Sequence, residues 1–145
     1  MPVFLRALMT CAAAAMVIGC DAAGPSWGPV DLEILDYSPF AVGEEIPPPS
    51  VLIERQGVTV MGTFATSQLG LNVEGGHRFP GPGQLTLEIR ALPGSGGRLD
   101  TISKFRFRAH IRSIPAGQYR FRLVYHVLDS RDVRFTTLDT TIVVH

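Results

Sequence analysis

The sequence is poor in cysteine and has no apolar run long enough to cross a membrane comfortably. Of its 145 residues only two are cysteines, Cys11 and Cys20, and both lie within the first twenty positions. The rest of the chain therefore has no thiol for a disulfide bond or for nucleophilic catalysis. The uncharged apolar stretch from Ala7 to Ile18 has twelve residues, whereas a membrane-spanning helix needs roughly 20. Such a stretch is typical of the core of a signal peptide.

The chain also lacks an excess of charge of either sign. It has 13 basic and 13 acidic residues. Removal of a leader that contains Arg6 would leave 12 basic and 13 acidic residues, a net charge of −1. A general nucleic-acid-binding domain is expected to be clearly basic, so we expect no nucleic-acid partner.

The tetrapeptide Val17-Ile18-Gly19-Cys20 resembles the bacterial lipobox. In that motif the first three residues are recognised by the signal peptidase, and the cysteine thiol carries a diacylglycerol thioether. Leu8-Met9-Thr10-Cys11 is a poorer match, because Thr10 is larger and polar. The alternative is an ordinary N-terminal hydrophobic helix that ends in a cysteine.

The lipobox resemblance divides the chain into three parts. Residues 1–19 are predicted to form a signal helix that is removed, residues 20–29 a lipidated cysteine and tether, and residues 30–145 a single domain. The protein would be exported and held through Cys20 on the bacterial cell membrane or outer membrane, facing the periplasm or the cell surface.

Period-2 alternation of apolar and polar residues predicts seven or eight β-strands after the tether, and no segment there has helical periodicity. Pro47-Pro48-Pro49 cannot lie in a central strand, so this segment is predicted to be a crossing or an edge. Gly75-Gly76 is expected to end one strand. The apolar runs that predict the strands begin at Val30, Val51, Val58, Leu69, Leu85, Phe105, Tyr119 and Thr140.

The segment from Ile114 to Leu123, with Pro115, Gly117 and Tyr119, resembles the E–F corner of immunoglobulin-like β-sandwiches. In such folds a tyrosine near the start of strand F bonds back to the corner backbone. The order of strands from Gly57 onward resembles small bacterial lipoproteins of unknown activity with one immunoglobulin-like domain. The resemblance implies an all-β, immunoglobulin-like antiparallel sandwich.

Basic residues are concentrated between positions 104 and 122, where there are six and no acid, while residues 20–54 contain seven acids and no base. The candidate anion-binding face consists of Arg106, Arg108, Arg112, Arg120 and Arg122. The alternative is a solvated sheet surface that is partly paired with the acidic N-terminal strands. An immunoglobulin-like corner would place these arginines in two different sheets and divide the face.

No catalytic, metal or cofactor motif is recognisable. The spacings of His77, His110, His126 and His145 match no zinc motif, and there is no Gly-x-Ser-x-Gly elbow. We therefore expect no enzyme, no cofactor and no metal. An enzymatic interpretation would be supported if one pocket brought together His110, His126 and a carboxylate.

Two functional hypotheses remain. The first is a non-enzymatic binding or accessory module displayed at the cell envelope, with the membrane and an unknown envelope protein or glycan as partners. The second is an inhibitor or assembly subunit of a periplasmic enzyme or envelope complex, which would insert loop 75–83 or loop 93–99 into a cleft.

Overall fold

The computed structural model describes residues 26–68, 72–92, 98–127 and 132–145, and these residues form nine strands and no helix. The predicted signal helix and Cys20 lie outside the described residues. The strands are β1 (Gly28–Pro29), β2 (Asp31–Pro39), β3 (Ser50–Glu54), β4 (Gly57–Gln68), β5 (Asn72–Arg78), β6 (Gln84–Leu92), β7 (Arg98–Arg112), β8 (Gly117–Val127) and β9 (Val133–Val144).

The strands form two sheets. Sheet A has the order β1-β5-β6-β8-β9, and sheet B has the order β2-β7-β4-β3. All pairs are antiparallel except β6–β8, which run parallel with Leu87 opposite Leu123. The chain leaves sheet A after β6, forms β7 in sheet B and returns as β8, so β6 and β8 point in the same direction. The predicted all-β sandwich is confirmed, and this parallel pair is the exception to its antiparallel order.

The core lies between the inner faces of the two sheets. Alternate residues of each central strand are fully buried there, as the period-2 pattern predicts. Phe64 of sheet B, which is 1% exposed, contacts Tyr125 of sheet A with ring centroids 4.8 Å apart. The main buried side chains are Val58, Val60, Phe64, Leu85, Leu87, Ile89, Phe105, Phe107, Ile111, Phe121, Leu123 and Tyr125.

The corner before β8 has the hydrogen bond that the resemblance implies. The Tyr119 hydroxyl donates to the carbonyl of Pro115 at 2.8 Å. Ile114, which lies between β7 and Pro115 in sequence, is 1% exposed. Its amide donates a hydrogen bond to the carbonyl of Gln56. The corner therefore fixes the start of β8 against sheet B.

Four segments differ from the sequence-based expectation, while a fifth agrees with it. β7 and β9 begin at Arg98 and Val133, each seven residues before the apolar run that predicted the strand. β5 does not end at Gly75-Gly76 but runs through both residues to Arg78. Gly28–Pro29, assigned to the tether, pairs with β5 as β1. Pro47–Pro49 forms a crossing between β2 and the edge strand β3, as predicted.

Candidate functional site

The five predicted arginines lie on two opposite surfaces of the sandwich. Arg106, Arg108 and Arg112 are on the outer face of sheet B, on β7, whereas Arg120 and Arg122 are on the outer face of sheet A, on β8. The structure therefore does not bring the five together, and the candidate anion-binding face is divided between the sheets.

Carboxylates lie beside the arginines of sheet B. Arg112 Nε is 2.6 Å from Asp31 Oδ2, and Arg108 Nη1 is 3.1 Å from Glu33 Oε2. These acids belong to β2, which pairs with β7. The acidic N-terminal strand thus lies against the basic strand, as the alternative interpretation of the charge pattern expects.

On sheet A one carboxylate, that of Asp139, accepts hydrogen bonds from both arginines of β8. Arg120 donates from Nε and Nη2 to the two oxygens of Asp139, at 2.9 and 2.8 Å, and Arg122 Nε lies 3.3 Å from Oδ2. The hydrogen bond from Arg120 and the positive charges of both guanidiniums hold the pKa of Asp139 below its usual value.

The described histidines do not converge. His110 is on the outer face of sheet B, where Nδ1 lies 2.8 Å from Thr59 Oγ1, and His126 is on the outer face of sheet A. His77 Nδ1 is 3.0 Å from the carbonyl of Pro29. No group of three metal-ligating side chains occurs in the part of the chain that the structure describes.

Loop 75–83 is shorter than the sequence indicates, because residues 75–78 belong to β5. Phe79, in what remains, is 45% exposed and packs against Tyr119 with ring centroids 5.8 Å apart. Residues 93–97 of the second proposed loop lie outside the described residues.

A different group of residues forms an enclosed polar site on the outer face of sheet A. Glu88 of β6 is 4% exposed and His126 of β8 is 3% exposed, although both point away from the core. A buried ionisable group is costly unless it has hydrogen-bonding partners. The surrounding side chains supply these partners.

Both ring nitrogens of His126 face carboxylates. Nδ1 is 3.0 Å from Glu88 Oε1, and Nε2 contacts Asp132 Oδ1. A carboxylate only accepts hydrogen bonds, so the ring satisfies both partners at once when both nitrogens carry protons. The hydrogen bond to His126 lowers the pKa of Asp132, and the charges of His126 and Arg134 act in the same direction.

Asp132 has a backbone conformation that few non-glycine residues adopt, with φ of 47°. The contact between Asp132 and His126 spans six positions of the sequence, and it links β8 to the residue that precedes β9. The two carboxylates lie on opposite sides of the ring, so they do not converge on one point with its nitrogens.

Trp27 covers the neighbouring part of the same face. The Arg78 guanidinium carbon lies 4.7 Å from the centre of the indole ring, and that of Arg90 lies 5.3 Å from it. A side chain at Gly76 would meet Trp27 Cβ at 3.2 Å, so the glycine makes room for the tryptophan. We call Trp27, Gly76, Arg78 and Arg90 the Trp27 cluster.

The Trp27 cluster joins the buried Glu88–His126 pair through Arg90. Arg90 Nε lies 3.7 Å from Glu88 Oε1. The Nε atoms of Arg78 and Arg90 are buried and form no hydrogen bond within the described residues. Chemically, the cluster presents two guanidinium groups, which bind phosphate and carboxylate anions, and both lie against an indole ring.

Sequence reasoning did not find this site. Glu88 and Arg90 are ordinary polar positions of an alternating strand, and Trp27 lies in the segment that the sequence assigns to the tether. The available signal is a single tryptophan three residues before the apolar run that begins at Val30, but nothing local relates it to Arg78.

Comparisons with protein-family models, with curated proteins and with solved structures find no match for this chain. Among the described residues there is no helix with the length and hydrophobicity needed to span a membrane.

Proposed function

We propose that this chain is an exported bacterial lipoprotein whose β-sandwich acts as a non-enzymatic binding or accessory module at the cell envelope. The observation that carries the proposal is the tetrapeptide Val17-Ile18-Gly19-Cys20 after an uncharged apolar stretch. A small residue before the cysteine gives the peptidase access to the backbone, and the thiol is free to carry lipid.

The anchor would hold the sandwich on the cell membrane or outer membrane, facing the periplasm or the cell surface. A cysteine with two or three acyl chains anchors firmly, since each buried methylene contributes about 0.8 kcal/mol. Partners are then limited to molecules of the envelope, such as a protein or a glycan.

The outer faces of the sandwich support a binding role. They carry guanidinium groups held in place by neighbouring carboxylates, as with Arg120 on Asp139 and Arg112 on Asp31. Ion pairs of this kind present positioned charges of both signs, which favour a partner with a complementary charge pattern, because few rotamers are lost on binding.

Intact-mass spectrometry of the protein extracted from bacterial membranes tests the anchor. We expect residues 1–19 to be absent and Cys20 to carry a diacylglycerol group. Cys20→Ser should keep the full-length, unmodified mass. The matched control is Cys11→Ser, which removes the other thiol and should leave processing unchanged. Recovery of wild-type protein with an unmodified Cys20 would contradict the proposal.

Capture of the lipidated protein from native envelopes after cross-linking tests the binding role. We expect a protein or glycan to be retained by the wild type and reduced when arginines of one outer face are replaced by glutamine. Recovery of no partner of either class would count against a binding module.

A further inference from the structure

Trp27 fixes the start of the sandwich to the outer face of sheet A. β1 pairs with β5 so that Gly28 lies opposite His77, which places the preceding residue beside Arg78. The indole rests over Gly76, with Cε3 3.2 Å from the position of an added Cβ. The chain that leads back toward Cys20 therefore leaves the domain from this cluster.

The distance to the proposed anchor is short. Six residues separate Cys20 from Trp27, and a fully extended chain of that length spans at most about 25 Å. A lipidated Cys20 thus keeps the Trp27 cluster within reach of the phospholipid headgroups. Tryptophan favours this zone of a membrane, because its ring is apolar and its N–H is polar.

The two arginines of the cluster have unused hydrogen-bonding capacity. Within the described ranges, no carboxylate is within ion-pair distance of Arg78, and its guanidinium group lies against the indole ring of Trp27. The carboxylate nearest to Arg90 is Glu88, at 3.7 Å, and Glu88 also contacts His126. The Arg90 side chain is 24% exposed, so part of it is accessible from outside.

We propose that the Trp27 cluster binds the phosphate groups of acidic phospholipids in the membrane that carries the Cys20 anchor. Arg78 and Arg90 would donate to the phosphate, since a guanidinium matches its oxygens with two parallel hydrogen bonds. Trp27 would lie at the level of the headgroups. This inference rests on the proposed lipid anchor, and it orients the β1 edge of sheet A, which carries the cluster, toward the bilayer.

Trp27 is the single tryptophan of the chain, so its fluorescence reports directly on the cluster. The test uses lipidated protein whose N-terminal mass has been verified. It is reconstituted into phosphatidylcholine vesicles with or without phosphatidylglycerol, each containing a phosphatidylcholine brominated near the headgroup end of its acyl chain. We expect stronger quenching of Trp27 in the vesicles with phosphatidylglycerol.

Replacement of either arginine should reduce this quenching. Arg78→Gln or Arg90→Gln is expected to lower the ratio of docked to undocked protein about fivefold, the usual contribution of one basic residue near an acidic membrane. Arg134→Gln is the matched control, because it removes the same charge from β9, at the opposite edge of sheet A. It should leave quenching unchanged. Thermal unfolding checks that each variant is folded, and Arg78→Lys tests the guanidinium with the charge retained.

Several outcomes overturn the inference. Lipidated protein with equal quenching in both kinds of vesicle would refute headgroup binding while leaving the anchor intact. An equal loss with Arg134→Gln would indicate attraction by net charge alone. A response to inorganic phosphate in phosphatidylcholine vesicles, without a response to phosphatidylglycerol, would assign the site to a free anion. An unlipidated Cys20 would overturn the proposed function first and this inference with it.

Discussion

Glu88 and His126 occupy positions on the outer face of sheet A, where a strand usually exposes its polar residues. Their exposures of 4% and 3% mean that two ionisable side chains lie where water hardly reaches them. Such groups are retained in folded proteins when their partners satisfy them. Here each ring nitrogen of His126 contacts a carboxylate, and Glu88 contacts both His126 and Arg90.

Replacement of Glu88 measures how much this buried contact contributes. Glu88→Gln keeps the shape of the side chain but removes its charge, and His126 then faces a neutral amide. We expect a loss of about 1.5–3 kcal/mol in the free energy of unfolding, the usual range for a hydrogen bond to a charged group, measured by urea denaturation. The control is Glu74→Gln at an exposed position of β5, where a change within about 0.5 kcal/mol is expected. Equal effects of the two substitutions would contradict a stabilising role for the buried contact.

At the scale of elements, β8 and β9 are joined on their outer face by a single acid. Asp139 lies opposite Arg122 in the antiparallel register and accepts two hydrogen bonds from Arg120. Cross-strand pairs of opposite charge stabilise a sheet, and this one lies on the edge strand β9. The two arginines that the sequence proposed as anion ligands already share an anion of the protein itself.

The lowered pKa of Asp139 makes the contribution of this acid depend on pH. A group whose pKa is lower in the folded state stabilises the fold above its ordinary value, here 3.8, and the contribution is lost as the pH falls through the lowered pKa. Asp139→Asn should therefore be less stable than the wild type near neutral pH, and the difference should close in acid. Urea denaturation across this pH range measures the gap. The control is Asp36→Asn, at an exposed position of β2, which should differ little from the wild type in its free energy of unfolding at every pH. If the difference for Asp139→Asn persists in acid, the lowered pKa of Asp139 is not its cause.

Local patterns predict most strands but not how they assemble. The alternation from Phe105 to Ile111 and the tyrosine corner at Tyr119 depend on neighbours in the chain, so both could be predicted. The parallel β6–β8 pair depends on β7 joining the other sheet, which no short segment encodes. For the same reason the approach of Trp27 to Arg90 could not be predicted, because the two residues are 63 positions apart in sequence.

The continuation of β5 through Gly75-Gly76 also has a physical cause that the sequence hides. Consecutive glycines usually mark a turn. In this sheet a Cβ at Gly75 would meet Val30 Cγ1 at 3.1 Å, and one at Gly76 would meet Trp27. Both glycines therefore allow the N-terminal segment to pack closely against β5, and the strand remains regular.

For the molecule as a whole, the stability of the sandwich depends on packing between the two sheets. Both cysteines lie in the first twenty residues, so no disulfide can link the sheets. Aromatic rings bridge the interface, and Phe64 contacts Phe105 within sheet B as well as Tyr125 and Phe135 from sheet A. Such contacts add to the free energy gained from burial of apolar surface.

Truncation of Phe64 should therefore weaken the entire sandwich and not one edge of it. The side chain is 1% exposed, and Phe64→Ala would remove its contacts with both sheets and leave a cavity, at an expected cost of about 3–5 kcal/mol. Urea denaturation followed by circular dichroism should show a lower midpoint with one cooperative transition, because the sheets share this core. Phe79→Ala is the control, since Phe79 is 45% exposed and should contribute about 1 kcal/mol or less. Two separate transitions in Phe64→Ala would mean that the sheets unfold independently and that the interface does not hold the domain together.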